Sequence, residues 1–159
     1  MSDFKINDKV IHCREGLSVI SSTTNMNDRD YFIVHSVHGD GEAIYVPVVT
    51  ANNIIRKIMT PSEADELLKS LIGVQKEFNA NTKQRRDAFK RRLATGDVKD
   101  IAYMFYQSVL FERDPEGVRL GAADNDMLGY AKSCLLDELS LTYDVERDKV
   151  EEFVLAKIK

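Results

Sequence analysis

Residues 60–72 read TPSEADELLKSLI, and the fold turns on them. Thr60 is placed to N-cap a helix, Pro61 suits the first helical position, and Glu63 closes a capping box. Leu67, Leu68, Leu71 and Ile72 then recur at helical spacing. Upstream the pattern is different. KVIH (9–12), LSVISSTT (17–24), DYFIVHSV (30–37) and EAIYVPV (42–48) are short and rich in β-branched and aromatic residues. Glu15-Gly16, Asn25 to Asp28 and Gly39-Asp40-Gly41 separate them as turns. Pro47 falls at the end of the last run, where a missing ladder donor is tolerated. Four or five such strands within about fifty residues predict a small, strongly bent sheet or barrel of the SH3 or Tudor kind. The expected fold class is therefore α+β, with a small β-barrel over residues 1–56 and an all-helical domain over 60–159.

Downstream of the first helix, GVQKEFNAN (73–81) interrupts the pattern. The next helix lies in NTKQRRDAFKRRLATGD (81–97), with Asn81 or Thr82 near its start and Gly96 as its C-cap. Asp97 is set to cap a helix over about 98–112, with Ile101, Ala102, Phe105 and Val109 inward. RDPEGVRLG (113–121) reads as a loop. A long helix over about 122–140 follows, carrying Met127, Leu128, Ala131, Leu135 and Leu139. Asp144 is the expected cap of a last helix, with Val150, Phe153, Val154 and Ile158 on one face.

Hydrophobic residues make up 43% of the 159, enough for a packed core and against global disorder. No apolar run approaches the length of a membrane span. MSDFKINDKV at the start lacks the basic-then-apolar pattern of a signal peptide, so a cytoplasmic location is expected. Cys13 and Cys134 form no C-x-x-C and are expected to be reduced, mostly buried thiols.

The charge is uneven. The chain is acidic, net −4, yet Lys83 to Arg92 holds six basic side chains and one acid. A basic island in an acidic chain can present one face to a polyanion while the remainder is repelled. On a helical wheel with Lys83 at zero, Phe89 and Leu93 fall at about 240° and 280°. Lys83, Arg86 and Lys90 flank this stripe on one side, Arg85 and Arg92 on the other, and Arg91 points elsewhere. Two readings stand: a solvated amphipathic helix whose long stems cover its own apolar edge, or a phosphate-contacting face that positions the protein on nucleic acid without reading sequence. A membrane-surface helix would need a wider apolar face.

No catalytic constellation emerges. His12 and Cys13 are adjacent and point to opposite faces of a strand. His12, His35 and His38 lack metal-ligand spacing, and HGDGE (38–42) does not lead into a helix as a phosphate loop must. No enzyme activity, cofactor, metal or small-molecule substrate is expected.

The order of parts resembles the CarD/CdnL family of bacterial transcription factors, whose N-terminal module is shared with transcription-repair coupling factor. FKINDKVIH followed by Gly16 is similar to the family's opening F-x-x-G-D-x-V-x-Y…G, and YFIV, a Gly-Asp turn and VPV to its Y-x-x-L…V-P. RRLATGD followed by DIAYMFYQSVLFERD resembles the family's L-x-S-G-D and the helix ending in R-D. LGAADNDMLGYAKSCLLDELS resembles its L-S-x-x-E-x-x-M-L-x-x-A-x-x-x-L-x-x-E-L. The resemblance runs over about residues 4–156.

It implies a Tudor-like domain docking on the RNA polymerase β subunit, a helical domain contacting promoter DNA near the upstream edge of the bubble, and association with the nucleoid through polymerase. The docking counterparts would be Met26, Arg29, Tyr45, Val46 and Pro47. The DNA-contacting set would be Thr82, Lys83, Arg85, Arg86, Lys90, Arg91 and Arg92. The chain also departs from the pattern. Family members that stabilise the bubble wedge a Trp at the start of the basic helix; that position is Thr82 here, and the chain has no Trp. Asn125 and Asp126 stand at two basic positions, Gly121 at the helix-capping Ser, and Asn7 at the opening Gly. A protein–protein adaptor without DNA binding is the competing expectation.

Overall fold

The computed structural model describes residues 3–39, 41–76, 81–114 and 119–158. Asp40 of the expected Gly39–Gly41 turn, and parts of the expected 73–81 and 113–121 connections, lie outside the described residues. The chain divides into two compact units, Met1–Ile58 and Met59–Lys159.

The first unit is a five-stranded antiparallel sheet in the order β4-β3-β2-β1-β5. Its strands are β1 (Lys9–His12), β2 (Gly16–Met26), β3 (Arg29–Ser36), β4 (Ile44–Pro47) and β5 (Ile55–Lys57). Alternation along β3 and β4 sends Phe32, Val34 and Val46 inward, where they pack with Phe4, Val10, Ile20, Ala51 and Ile55. The turns are those the sequence chemistry requires. Asn27 and Asp28 both take positive φ (54° and 62°), which makes the two-residue loop that sets Met26 opposite Arg29. Cys13 to Glu15 form a three-residue loop closed by Gly16 at φ 72°. Asn7 adopts φ 77°, an angle Asn tolerates better than most residues.

Of the expected bent sheet or barrel, the described residues show the sheet and not its closure. The sheet is open, with β4 and β5 as its edges. β4 stops at Pro47, and the chain turns at once into a 3-10 helix over Val48–Asn53. β5, which carries no separate strand signal in its sequence, is three residues long and pairs with β1.

The second unit holds α1 (Pro61–Lys69), α2 (Thr82–Thr95), α3 (Val98–Glu112), α4 (Ala122–Tyr143) and α5 (Val150–Lys157). The capping box forms: Thr60 Oγ1 accepts from the Glu63 N–H at 3.2 Å, and Glu63 Oε1 from the Thr60 N–H at 3.1 Å. Two apolar clusters share α3 and α4. One joins them to α1 and α5 through Leu68, Phe105, Leu135, Leu139 and Val154. The other joins them to α2 through Phe89, Met104, Leu128 and Ala131. Glu138, buried on α4, accepts the Met59 N–H at 2.9 Å and so holds the entry to the helical unit.

Three expectations are corrected. Asp144 ends α4 rather than starting α5: it sits at φ 54°, with its N–H bonded to the Ser140 carbonyl. Phe153 is 39% exposed and packs on Tyr143 at the surface, while Val150, Val154 and Ile158 do turn inward. Cys13 is exposed, because it lies in the β1–β2 loop rather than in a strand; Cys134 is half-buried, and both thiols are free.

Candidate functional site

Two surfaces carry the residues of interest, one on each unit. On the helical unit, α2 begins where Asn81 Oδ1 accepts the Gln84 N–H at 3.0 Å and ends at Gly96 in the left-handed region. Its apolar stripe is narrow, so residues beside the stripe are drawn in with it. Phe89 is fully buried and Leu93 partly so. Arg85, one turn before Phe89, is 2% exposed. Its Nε lies 3.2 Å from Oδ2 of Asp124, itself 1% exposed in the first turn of α4. In this structure Arg85 is therefore turned inward, away from the surface where a phosphate contact was expected. A charge that deeply buried persists only when paired.

Arg92, on the same flank, is also engaged. Its Nη1 donates to Asp100 Oδ1 at 2.9 Å, and its guanidinium carbon lies 3.8 Å from the centre of the Tyr103 ring. Thr95 Oγ1, 2.7 Å from the other Asp100 oxygen, completes this corner. Asp97 then caps α3 by accepting the Lys99 N–H at 2.9 Å.

The opposite face of α2 is different. Lys83, Lys90 and Arg91 are exposed, as is Thr82 at the helix start, and Arg86 is half-buried at the edge. Arg86 Nε is buried and makes no hydrogen bond among the described residues. The wheel places Arg86, Lys90, Lys83 and Arg91 on one arc of about 140°. Asp87 is the one acid within that arc. Asn125 and Asp126, near the start of α4, are exposed and add no cation.

On the sheet unit, β4 pairs with β3 alone among the described residues, with Tyr45 opposite Ile33 and Val46 opposite Phe32. Tyr45 is 50% exposed and meets the Tyr31 ring edge-to-face at 6.5 Å. Val46 is fully buried in the sheet core, so its side chain faces no partner; its backbone alone belongs to the edge. Pro47 is half-buried, and Met26 and Arg29 are exposed at the β2–β3 turn. Val49, which lies beyond the last expected strand and was not singled out from the sequence, is 91% exposed on the 3-10 helix.

Among the described residues no cluster of three or more His, Cys, Asp or Glu is arranged to hold a metal. Among the described residues no helix is long and apolar enough to cross a membrane. His12 serves the β1–β2 loop, where its Nδ1 accepts the N–H groups of Arg14 (3.1 Å) and Glu15 (3.2 Å).

The family model for the CarD C-terminal domain matches residues 66–155, from within α1 through most of α5. The chain belongs to the CarD family. A second model, the CarD-like/TRCF RID domain, matches residues 4–59, the sheet unit. Membership makes this a transcription-related, RNA polymerase-interacting protein and aligns its sheet with a Tudor-like module. No curated protein matches the chain.

The pairing of Arg85 and Arg92 was the part that sequence reasoning missed. One signal was available. Arg85 precedes Phe89 by four residues, so any packing that buries the ring carries Arg85 towards the same neighbour.

Proposed function

We propose that this protein docks on the RNA polymerase β subunit through the β4 edge and contacts promoter DNA backbone with α2 near the upstream edge of the bubble, modulating initiation. The observation that carries the DNA half is the outward arc of Lys83, Lys90 and Arg91 with Arg86 at its edge, left outward by the inward pairing of Arg85 and Arg92. The polymerase half rests on a sheet-edge strand beside an exposed Tyr45, an arrangement suited to pairing with a strand of a partner. Such DNA contacts are sequence-independent and weaken with salt. Three or four phosphates give a log–log slope of about −3.

Gel shift of a long duplex at low salt tests the DNA half. The wild type should shift the duplex, and K83E/K90E/R91E should abolish the shift without weakening a pull-down of the β subunit. The adaptor reading is favoured by the net charge of −4, the absence of Trp, and two of six island cations held by aspartates. No shift by the wild type, with the β-subunit pull-down retained, decides for it. Failure of the pull-down with both partners folded removes the polymerase reading.

A further inference from the structure

The apolar contact of α2 is too narrow to fix how the helix is rolled. Only Phe89 is a wholly buried apolar residue along its 14 residues, and Leu93 is partly so. Hydrophobic contact is non-directional, so a stripe this thin permits rotation of the helix about its own axis. The Arg85–Asp124 pair is directional, and it joins the first half of α2 to the first turn of α4. We infer that this buried pair is a positioning element, setting the roll of α2 so that Lys83, Lys90 and Arg91 share the outward face.

The pair is poorly explained as a source of stability. Asp124 Oδ1 makes no hydrogen bond among the described residues despite its burial, and an incompletely satisfied buried carboxylate costs free energy. Replacing a buried ion pair by apolar side chains of similar volume is often neutral or stabilising. What such a replacement loses is geometry. Arg85 lies about 160° from Lys83 and about 140° from Lys90 around the helix axis. Tethering Arg85 inward therefore turns these cations outward. The inference deepens the DNA reading above and rests on it for its functional consequence, but the roll itself is measurable without DNA.

The decisive protein is R85M/D124L, made in the full chain with Cys13 and Cys134 replaced by Ser. A single cysteine is introduced at Ala94, which is exposed, or at Ala88, which is half-buried on the flank of the stripe. In the parent, A94C should react with a thiol reagent several-fold faster than A88C. In R85M/D124L that contrast should shrink or reverse while the urea midpoint is kept or raised. The variant's affinity for duplex DNA should fall by about tenfold, with a shallower salt slope. R85K, which keeps a cation against Asp124, should retain both the labelling contrast and the affinity.

An unchanged contrast in folded R85M/D124L overturns the inference. So does unchanged DNA affinity, provided that the parent binds. If the parent does not bind DNA, the DNA reading has failed and the labelling contrast still decides the roll. If R85M/D124L does not fold, R85L/D124A is read by the same labelling, and an unaltered contrast there overturns the inference.

Discussion

Arg92 is held between an acid and an aromatic face: its guanidinium carbon lies 3.8 Å from the ring centre of Tyr103 while Nη1 donates to Asp100 at 2.9 Å. The two contacts join α2 to α3. A cation at a partly exposed aromatic face contributes about 0.5–1 kcal/mol. With the Arg92 side chain 37% exposed, its ion pair adds at most about 1 kcal/mol. Arg92→Ala should therefore lower stability by about 1–2 kcal/mol in urea denaturation. Its DNA affinity should stay within about twofold, because the lost cation was already neutralised.

Arg85 should behave differently from Arg92. Arg85→Ala strands the Asp124 carboxylate in the interior and should cost about 3–5 kcal/mol. Adding Asp124→Leu should restore most of that loss. A double-mutant cycle by chemical denaturation measures the coupling.

Acid should weaken the sheet unit through His12. Its Nδ1 accepts two backbone N–H groups, so a proton there meets two donors already aimed at it. Burial pulls the imidazole below its ordinary value; nearby Glu15 opposes this and Arg14 adds to it. The unfolded chain thus takes up the proton first. Stability is full above the unfolded value of about 6.5 and declines as pH falls from there towards the lower folded value. Urea midpoints should drop between about pH 7 and 5, and His12→Gln, with an uncharged acceptor, should flatten that drop.

Neighbours on β4 should separate binding from folding. Tyr45→Ala removes an exposed ring and should weaken capture of the β subunit while lowering stability by about 0.5–1.5 kcal/mol, the worth of its edge-to-face contact with Tyr31. Val46→Ala opens the core and should cost about 1.5–3 kcal/mol. Pull-down and denaturation on the same pair of variants distinguish the two roles.

Thr82 is exposed in the first turn of α2, one residue before Lys83. Thr82→Trp supplies an apolar wedge for an open base step. Its affinity should rise several-fold for a duplex carrying a melted bubble and change little for a fully paired one. Competition binding with the two DNAs reads the difference.

Much of this fold was legible because its signals are local. Thr60, Pro61 and Glu63 announced α1, Asn81 and Gly96 bracketed α2, and β1 runs from Lys9 to His12 as its pattern indicated. What escaped depends on which of two competing local or tertiary contacts wins. Asp144 looks like an N-cap, but a left-handed residue after a long helix serves as its closure instead. Phe153 looks inward by spacing, yet Tyr143 receives it at the surface. The open sheet edge depends on where β5 pairs, and three residues carry too little pattern to say. For the candidate site, the wheel found the cationic flanks. It could not say which flank would meet Asp100 and Asp124.

The two-residue turn at Asn27-Asp28 has a further consequence. It fixes which residues of β3 face outward, because Met26 and Arg29 must pair across it. The β-bulge between Ile20 and Ser22 then resets the phase further along β2. The identity of the outward side chains is therefore free to drift, whereas the length of the loop is not. One inserted residue would bring Tyr31 and Ile33 towards the core and Phe32 and Val34 into solvent, exchanging the inner and outer faces of the strand in a single step.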